Sequence, residues 1–170
     1  MGVDARTVVA VRDACADDAA ACAGIYAPYV ADTTVSFEED APDVAEVARR
    51  IGVAQERHAW LVAERGDRIV GYAYGGTFRD RSAYRHTCEL SVYVEVGERG
   101  SGIGRTLYAE LLDRMRDAGM RLAVGGATMP NEASERLHQA LGFEVVGTFR
   151  EVGFKQGRWC DVRWFQKSLV

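Results

Sequence analysis

The sequence predicts an α/β fold: one domain built on a mixed, mostly antiparallel sheet with helices packed on both faces. Three observations predict it. Apolar, β-branched runs alternate with stretches of helical periodicity in the order β-α-α-β-β-β-α-β-α-β-β. The strands of the first half are joined by short connections, which require antiparallel pairing, whereas helices separate the later ones. The chain has 170 residues and 48% hydrophobic content, enough to bury one substantial core, and nothing in its composition marks a second domain within 1–170.

Thr7 to Arg12 is a short β-branched run. Asp17, as N-cap, opens an Ala-rich helix to Tyr29. Pro42-Asp43 introduces a second helix to about Arg57, in which Val44, Val47, Ala48 and Ile51 form one apolar stripe. Ala59–Glu64 and Ile69–Phe78 are strands joined at Gly66-Asp67 as a hairpin, and a third strand follows from His86 to Val96. Arg105–Ala118 carries Leu107, Leu111, Leu112 and Met115 on one face and ends at Gly119, the left-handed position after a helix. Leu122–Thr128 is the next strand and Asn131–Leu141 the next helix, ended by Gly142. Phe143–Arg150 and Trp159–Lys167 close the sheet.

The net charge of −4 and pI near 5.4 disfavour a nucleic-acid binder, which needs a basic field to displace counterions from phosphates. A small-molecule partner fits better. Cys15, Cys22, Cys88 and Cys160 form no C-x-x-C pair and no zinc spacing with histidine, so no metal is expected and the thiols are expected to be reduced and buried. The chain shows no signal-peptide pattern, bilayer-length apolar run or myristoylation signal, so the expected location is cytoplasmic, with no membrane partner.

The most informative segment is Arg99-Gly100-Ser101-Gly102-Ile103-Gly104, followed by Arg105, between a strand and the best-defined helix. Glycines let backbone N–H groups converge at a helix N-terminus, where the helix dipole favours phosphate. The spacing lacks the third glycine of the dinucleotide fingerprint, and no G-K-[ST] follows, which weakens both nucleotide readings. A glycine-rich turn with no ligand is the alternative.

The segment resembles the R/Q-x-x-G-x-G/A signature of the GNAT acetyltransferases. Further segments narrow the resemblance to the phosphinothricin and methionine sulfoximine N-acetyltransferases: Thr34-Val35-Ser36-Phe37-Glu38, Ser91-Val92-Tyr93-Val94, Leu137 to Phe143 and Val152 to Asp161. The resemblance implies acetyl-CoA as cosubstrate, the amine of a small amino-acid analogue as acceptor, and a homodimer. It also implies that the backbone of Val92, Tyr93 and Val94 and the loop Arg99 to Arg105 hold the coenzyme.

Transfer to an amine requires the free base, which costs roughly 2.7 kcal/mol for an amine two pKa units above ambient pH, so a nearby carboxylate is useful. Alternation places Thr87, Glu89, Ser91 and Tyr93 on one strand face and Cys88, Leu90, Val92 and Val94 on the other. Glu89 matches the family's general base, although a solvated strand face is also compatible with the pattern. Asn131, Ser134 and His138 lie at i, i+3 and i+7, a polar stripe on one helix face, with Leu137 and Leu141 turned to the core. By resemblance Asn131 and Ser134 serve the coenzyme, and His138 is an auxiliary acid/base where many members carry tyrosine. Asn131 also suits an N-cap and His138 a surface position.

Arginine holds carboxylate bidentately, and by resemblance Arg79 or Arg85 takes that role while Phe37 and Phe78 line the apolar part of the acceptor, with Cys88 and Glu89 completing the set; a solvated polar loop is the alternative for the arginines. The segment Gly153–Asp161 is expected to form the last turn and to help dimer packing. Another acceptor, such as a protein N-terminus, a polyamine or an aminoglycoside, and a non-catalytic acetyl-CoA sensor are the alternative functions.

Overall fold

A computed structural model describes residues 9–170; Thr7 and Val8 of the expected first strand lie outside them. The strands are β1 (Ala10–Asp13), β2 (Trp60–Arg65), β3 (Arg68–Thr77), β4 (Thr87–Val94), β5 (Leu122–Met129), β6 (Glu144–Lys155) and β7 (Arg158–Ser168). The helices are α1 (Ala19–Asp32), α2 (Val44–Arg57), α3 (Ile103–Asp117) and α4 (Glu132–Ala140). The expected element order is therefore observed. The strands form one sheet in the order β1-β2-β3-β4-β5-β7-β6, in which β4–β5 is the parallel pair and the other pairs are antiparallel.

Each face of the sheet buries its own cluster. On one side Leu107, Leu111 and Met115 of α3 pack on Leu61, Ala73, Cys88 and Leu90. On the other, Cys22, Ile25 and Tyr26 of α1 and Val47 and Ile51 of α2 cover Trp60, Val62 and Tyr72. Full burial of one such aliphatic side chain is worth about 1.5–3 kcal/mol, so α3, with residues at i, i+4 and i+8 fully buried, is a principal contributor. Its end is closed by Gly119 at φ +82°, which lets the Met120 N–H reach the Met115 carbonyl at 3.0 Å.

Several boundaries differ from expectation. Asp17 does not cap α1. Asp18 accepts from the Cys15 N–H at 2.8 Å and pairs with Arg12, and a short turn over 16–18 precedes the helix. The helix also continues past Tyr29 to Asp32, because Pro28 removes one N–H donor without ending it. α2 begins after Pro42-Asp43 as expected, with Asp43 as its cap accepting from Glu46 N at 2.8 Å, but Val44 in the first turn is exposed, and the buried stripe is Val47, Ile51 and Ala54. α3 starts at Ile103, inside the glycine segment, rather than at Arg105. Cys15 is exposed, while the other three cysteines are buried free thiols. Finally, β6 and β7 run through most of Gly153–Asp161, and only Gln156 and Gly157 turn, both at positive φ.

Candidate active site

The site begins where two strands part. β4 pairs with β5 at Thr87–Leu122, Cys88–Ala123 and Glu89–Val124, and its partnership with β5 ends there, although it stays paired with β3 as far as Val94. From Leu90 to Val94 one edge of β4 therefore lacks a neighbouring strand; the Leu90 and Val94 carbonyls lie within hydrogen-bond reach of the Tyr108 and Tyr29 hydroxyls, and the other backbone groups of that edge face the gap. Val92 and Val94 lean toward the start of α3. A Cβ at Gly104 would stand 3.6 Å from Val94 and 4.0 Å from Val92, ordinary van der Waals distances, so the first turn of the helix lies against the open strand.

At the end of that strand lies the glycine loop. Gly100 and Gly102 adopt φ +80° and +84°, in the left-handed region that disfavours side chains. Gly102 caps α3, its carbonyl accepting from Thr106 N at 3.1 Å, so the N–H groups of Ile103, Gly104 and Arg105 are first-turn donors without intrahelical partners. The space in front of both glycines is open, since a Cβ on either would meet nothing within 4 Å. Arg105 is exposed beside them, Ser101 is tied back to the Glu98 carbonyl at 2.5 Å, and the Arg99 guanidinium lies over the Tyr29 ring, 5.0 Å from its centre. Converging amides, a helix N-terminus and flanking arginines form a donor set that fits a pyrophosphate.

Glu89 is half-buried, on the sheet face covered by α1 and α2. Burial pushes its carboxyl up from the usual value of 4.5, and the Arg79 guanidinium partly opposes that shift. Among the described residues the carboxylate has no ion pair and no hydrogen-bond partner, so it is free to take a proton. Register places Ser91, Tyr93, Gly76 and Tyr74 on the same face, and Gly126 and Trp164 continue it across β5 and β7. The Trp164 ring occupies the space over Gly126, and Phe78 packs edge-on against both Trp164 and Tyr84, with Arg79 over the Phe78 ring at 5.0 Å.

Two expected site residues stand elsewhere. Cys88 is fully buried on the α3 side, its thiol directed to the Leu122 carbonyl at 3.6 Å, because alternation turns it away from Glu89. Its side chain cannot line the acceptor site. His138 is not on a solvent-facing stripe. It is 4% exposed, lies parallel to Phe165 at 4.3 Å, and meets Tyr108 and Phe143 edge-on. Leu137 and Leu141 are only partly buried, so α4 presents His138 as its core residue.

The His138 hydrogen bonds define its tautomer. A carbonyl can only accept, so Nδ1 carries the proton that goes to Ser134 O at 2.8 Å, and Nε2 faces the Tyr108 hydroxyl at 3.3 Å. Tyr108 is also 3.2 Å from the carbonyl of Leu90, the first β4 residue beyond the split. Burial lowers the His138 pKa below 6.5, which keeps the ring neutral. Asn131 caps α4 with its carbonyl oxygen, 3.0 Å from Ser134 N.

Arg85 turns back on its own loop, bonding Ser82 O at 3.2 Å, whereas Arg79 is the arginine near enough to act on Glu89. Phe37 is exposed and lies over Gly153 of β6. Sequence reasoning missed Tyr74, Tyr108 and Trp164. Their strands and helix were legible, but only register reveals that Tyr74 and Trp164 share the Glu89 face. Among the described residues no group of three or more His, Cys, Asp or Glu side chains gathers as for a metal ion, and no helix is long and apolar enough to cross a membrane.

A strand split beside a glycine-rich helix start, with an unpaired carboxylate at the fork, is an arrangement that suits an acyl-transferring coenzyme A enzyme. The acetyltransferase (GNAT) domain family matches residues 11–164, and the chain belongs to this family of N-acetyltransferases, with acetyl-CoA as cosubstrate. It is 43% identical over 167 residues to a phosphinothricin N-acetyltransferase of Alcaligenes faecalis, covering 97% of this chain and 83% of that one. It is 35% identical over 161 residues to an L-methionine sulfoximine/L-methionine sulfone acetyltransferase of Pseudomonas aeruginosa, covering 94% of each. The crystal structure of a GNAT superfamily phosphinothricin acetyltransferase from Sinorhizobium meliloti in complex with acetyl-CoA superimposes with a TM-score of 0.90. The two are 36% identical, with 94% of this chain and 88% of that one covered.

Proposed function

We propose that this chain acts as a single catalytic domain in the cytoplasm and acetylates the amine of a small amino-acid analogue of the phosphinothricin or methionine sulfoximine type by direct transfer. The observation that carries this reading is the position of Glu89: an unpaired, partly desolvated carboxylate at the fork of β4 and β5, with Arg79 and the Phe78 loop nearby. The relatives that act on such acceptors support it.

Acetyl-CoA, when bound, supplies the thioester whose acetyl group is transferred. The amides of Ile103, Gly104 and Arg105, with Arg99 and Arg105, hold its pyrophosphate, the free edge of β4 at Val92, Tyr93 and Val94 holds the pantetheine arm, and Asn131 and Ser134 border it. Arg79 receives the acceptor carboxylate, while Phe37 and Phe78 cover its apolar part. Glu89 removes the ammonium proton directly or through one water; its raised pKa makes it a stronger base than an exposed glutamate. His138 donates from Nδ1 to the Ser134 carbonyl, while the single Tyr108 hydroxyl proton goes either to His138 Nε2 or to the Leu90 carbonyl at the fork, so the contribution of His138 is positioning.

Release of free thiol from acetyl-CoA with phosphinothricin, methionine sulfoximine, spermidine and an aminoglycoside tests the acceptor class. Turnover confined to the first two is the expected result; preferential turnover of spermidine or the aminoglycoside overturns the class.

A homodimer accompanies this proposal. Val145, Val146, Phe149, Val152 and Phe154 of the edge strand β6, with Trp159 of β7, are each more than half exposed, a run of apolar surface that a monomer would leave in water. Light scattering should give twice the mass of 18.7 kDa, and Phe149→Glu should halve it.

A further inference from the structure

The last hairpin reaches a second part of the molecule. Lys155, at the end of β6, is buried, and its ammonium donates to the carbonyls of Val30 at 2.6 Å and Ser36 at 2.7 Å. Val30 lies in the last turn of α1, whose carbonyls lack intrahelical partners and favour a cation. Arg158 donates to the Thr34 hydroxyl at 3.0 Å and Gln156 to the Ala31 carbonyl at 3.2 Å. Lys155, Gln156 and Arg158 of the hairpin tip thus grip the segment that leaves α1.

That segment leads directly to Phe37, and its ring fills the space a side chain at Gly153 would need. A Cβ there would stand 2.3 Å from ring carbons Cε2 and Cζ of Phe37. Gly153 is not at positive φ, so its backbone tolerates other residues, and the three atoms nearest to a Cβ there all belong to the Phe37 ring. Ser36 also bonds the Tyr26 hydroxyl at 2.6 Å, and Tyr26 packs edge-on against Tyr93, on the Glu89 face of β4, with ring centres 4.8 Å apart.

We infer that the β6–β7 hairpin sets the acceptor-binding loop: Lys155 anchors residues 33–38 through the carbonyls of Val30 and Ser36, and the absent side chain at Gly153 makes the place in which Phe37 lies. This rests on the proposed acceptor site and names its positioning residues. Lys155 and Gly153 touch neither coenzyme nor acceptor; they act through Phe37. The hairpin therefore tunes which acceptor side chain fits without altering the coenzyme cleft.

Two variants test this, Gly153→Ala and Lys155→Met, by steady-state kinetics and by amide hydrogen exchange over residues 33–38. Gly153→Ala need only rotate a ring that is 42% exposed, so it should fold normally even if Lys155→Met does not. The expected result is an acceptor KM raised roughly tenfold or more, since small misplacements are costly, with the KM for acetyl-CoA unchanged and exchange over 33–38 faster than in the wild type. A general loss of stability would instead affect both substrates. An unchanged acceptor KM in Gly153→Ala, or unchanged exchange in the variants that fold, overturns the inference. If the wild type acetylates no amine on the panel, the acceptor reading fails, and the inference then stands or falls on the exchange alone.

Discussion

Glu89 faces Val124 in the last rung of the β4–β5 ladder, so the free carboxylate stands where the two strands separate. In the proposed mechanism the acceptor would reach this carboxylate from the sheet face and the thioester from the gap. Bringing two reactants together from different sides is the geometric condition for direct transfer.

Glu89→Gln should lower kcat/KM by about 10²–10⁴-fold with acetyl-CoA binding retained. The wild-type rate should fall as pH drops through the raised Glu89 pKa, above the usual 4.5. Stability should move the other way. Because the folded pKa is raised, the stability linked to this group is fully present below 4.5 and is lost as pH rises through the folded value. The Gln variant should therefore melt higher than wild type at pH 8, and the difference should vanish near pH 4. Calorimetry at the two pH values checks this.

His138 has the opposite sign. Its folded pKa is depressed by burial, so its contribution is present above the unfolded value of 6.5 and is lost as pH falls through the folded value. Wild type should lose stability below pH 6.5 more steeply than His138→Gln does. Comparison within this pair cancels His58, whose pKa burial also lowers. Equal slopes in urea titrations at pH 5, 6 and 7 would refute the assignment of a neutral, buried ring.

Gly102→Ala places a Cβ on a residue at φ +84°. A left-handed alanine should cost about 1–2 kcal/mol of stability and turn the first amides of α3 away from the phosphate site. The expected readouts are a lower melting temperature and an acetyl-CoA dissociation constant raised severalfold by calorimetric titration, with the acceptor KM little changed.

Gly125→Ala tests the wall behind the fork. A Cβ at Gly125 would lie 2.7 Å from His138 Nε2 and 3.1 Å from the Tyr108 hydroxyl, and neither buried ring has room to retreat. Overpacking of this kind should cost about 1–3 kcal/mol, readable as a lower urea midpoint at unchanged slope.

The elements themselves were legible because their signals are local. Leu107, Leu111 and Met115 recur at the helical period, Gly119 ends their helix, and Asp43 caps the one before it. The glycine loop was legible for the same reason, since glycines before a helix mark its turn, although the helix starts at Ile103 rather than at the expected Arg105. Alternation along β4 correctly separated Glu89 from Cys88, and by itself it argued against a Cys88 side chain in the acceptor site.

Other features depended on contacts between residues far apart in sequence. Asp18 rather than Asp17 closes the turn before α1 because Arg12 of β1 reaches it, and the pull comes from tertiary pairing rather than from helix propensity. A histidine on a polar helix stripe reads as exposed until Phe165, 27 positions later, stacks on it. Gly153 and Phe37 are separated by more than a hundred residues, and no periodicity links them; only the return of β6 past the end of α1 brings them together. The sequence by itself determined which segments are helix and strand and where the glycine loop opens a helix, since capping, period and glycine conformation act over a few residues. The tertiary structure alone decided what faces Glu89 and what holds Phe37, since strand register and packing join residues whose separation leaves no local trace.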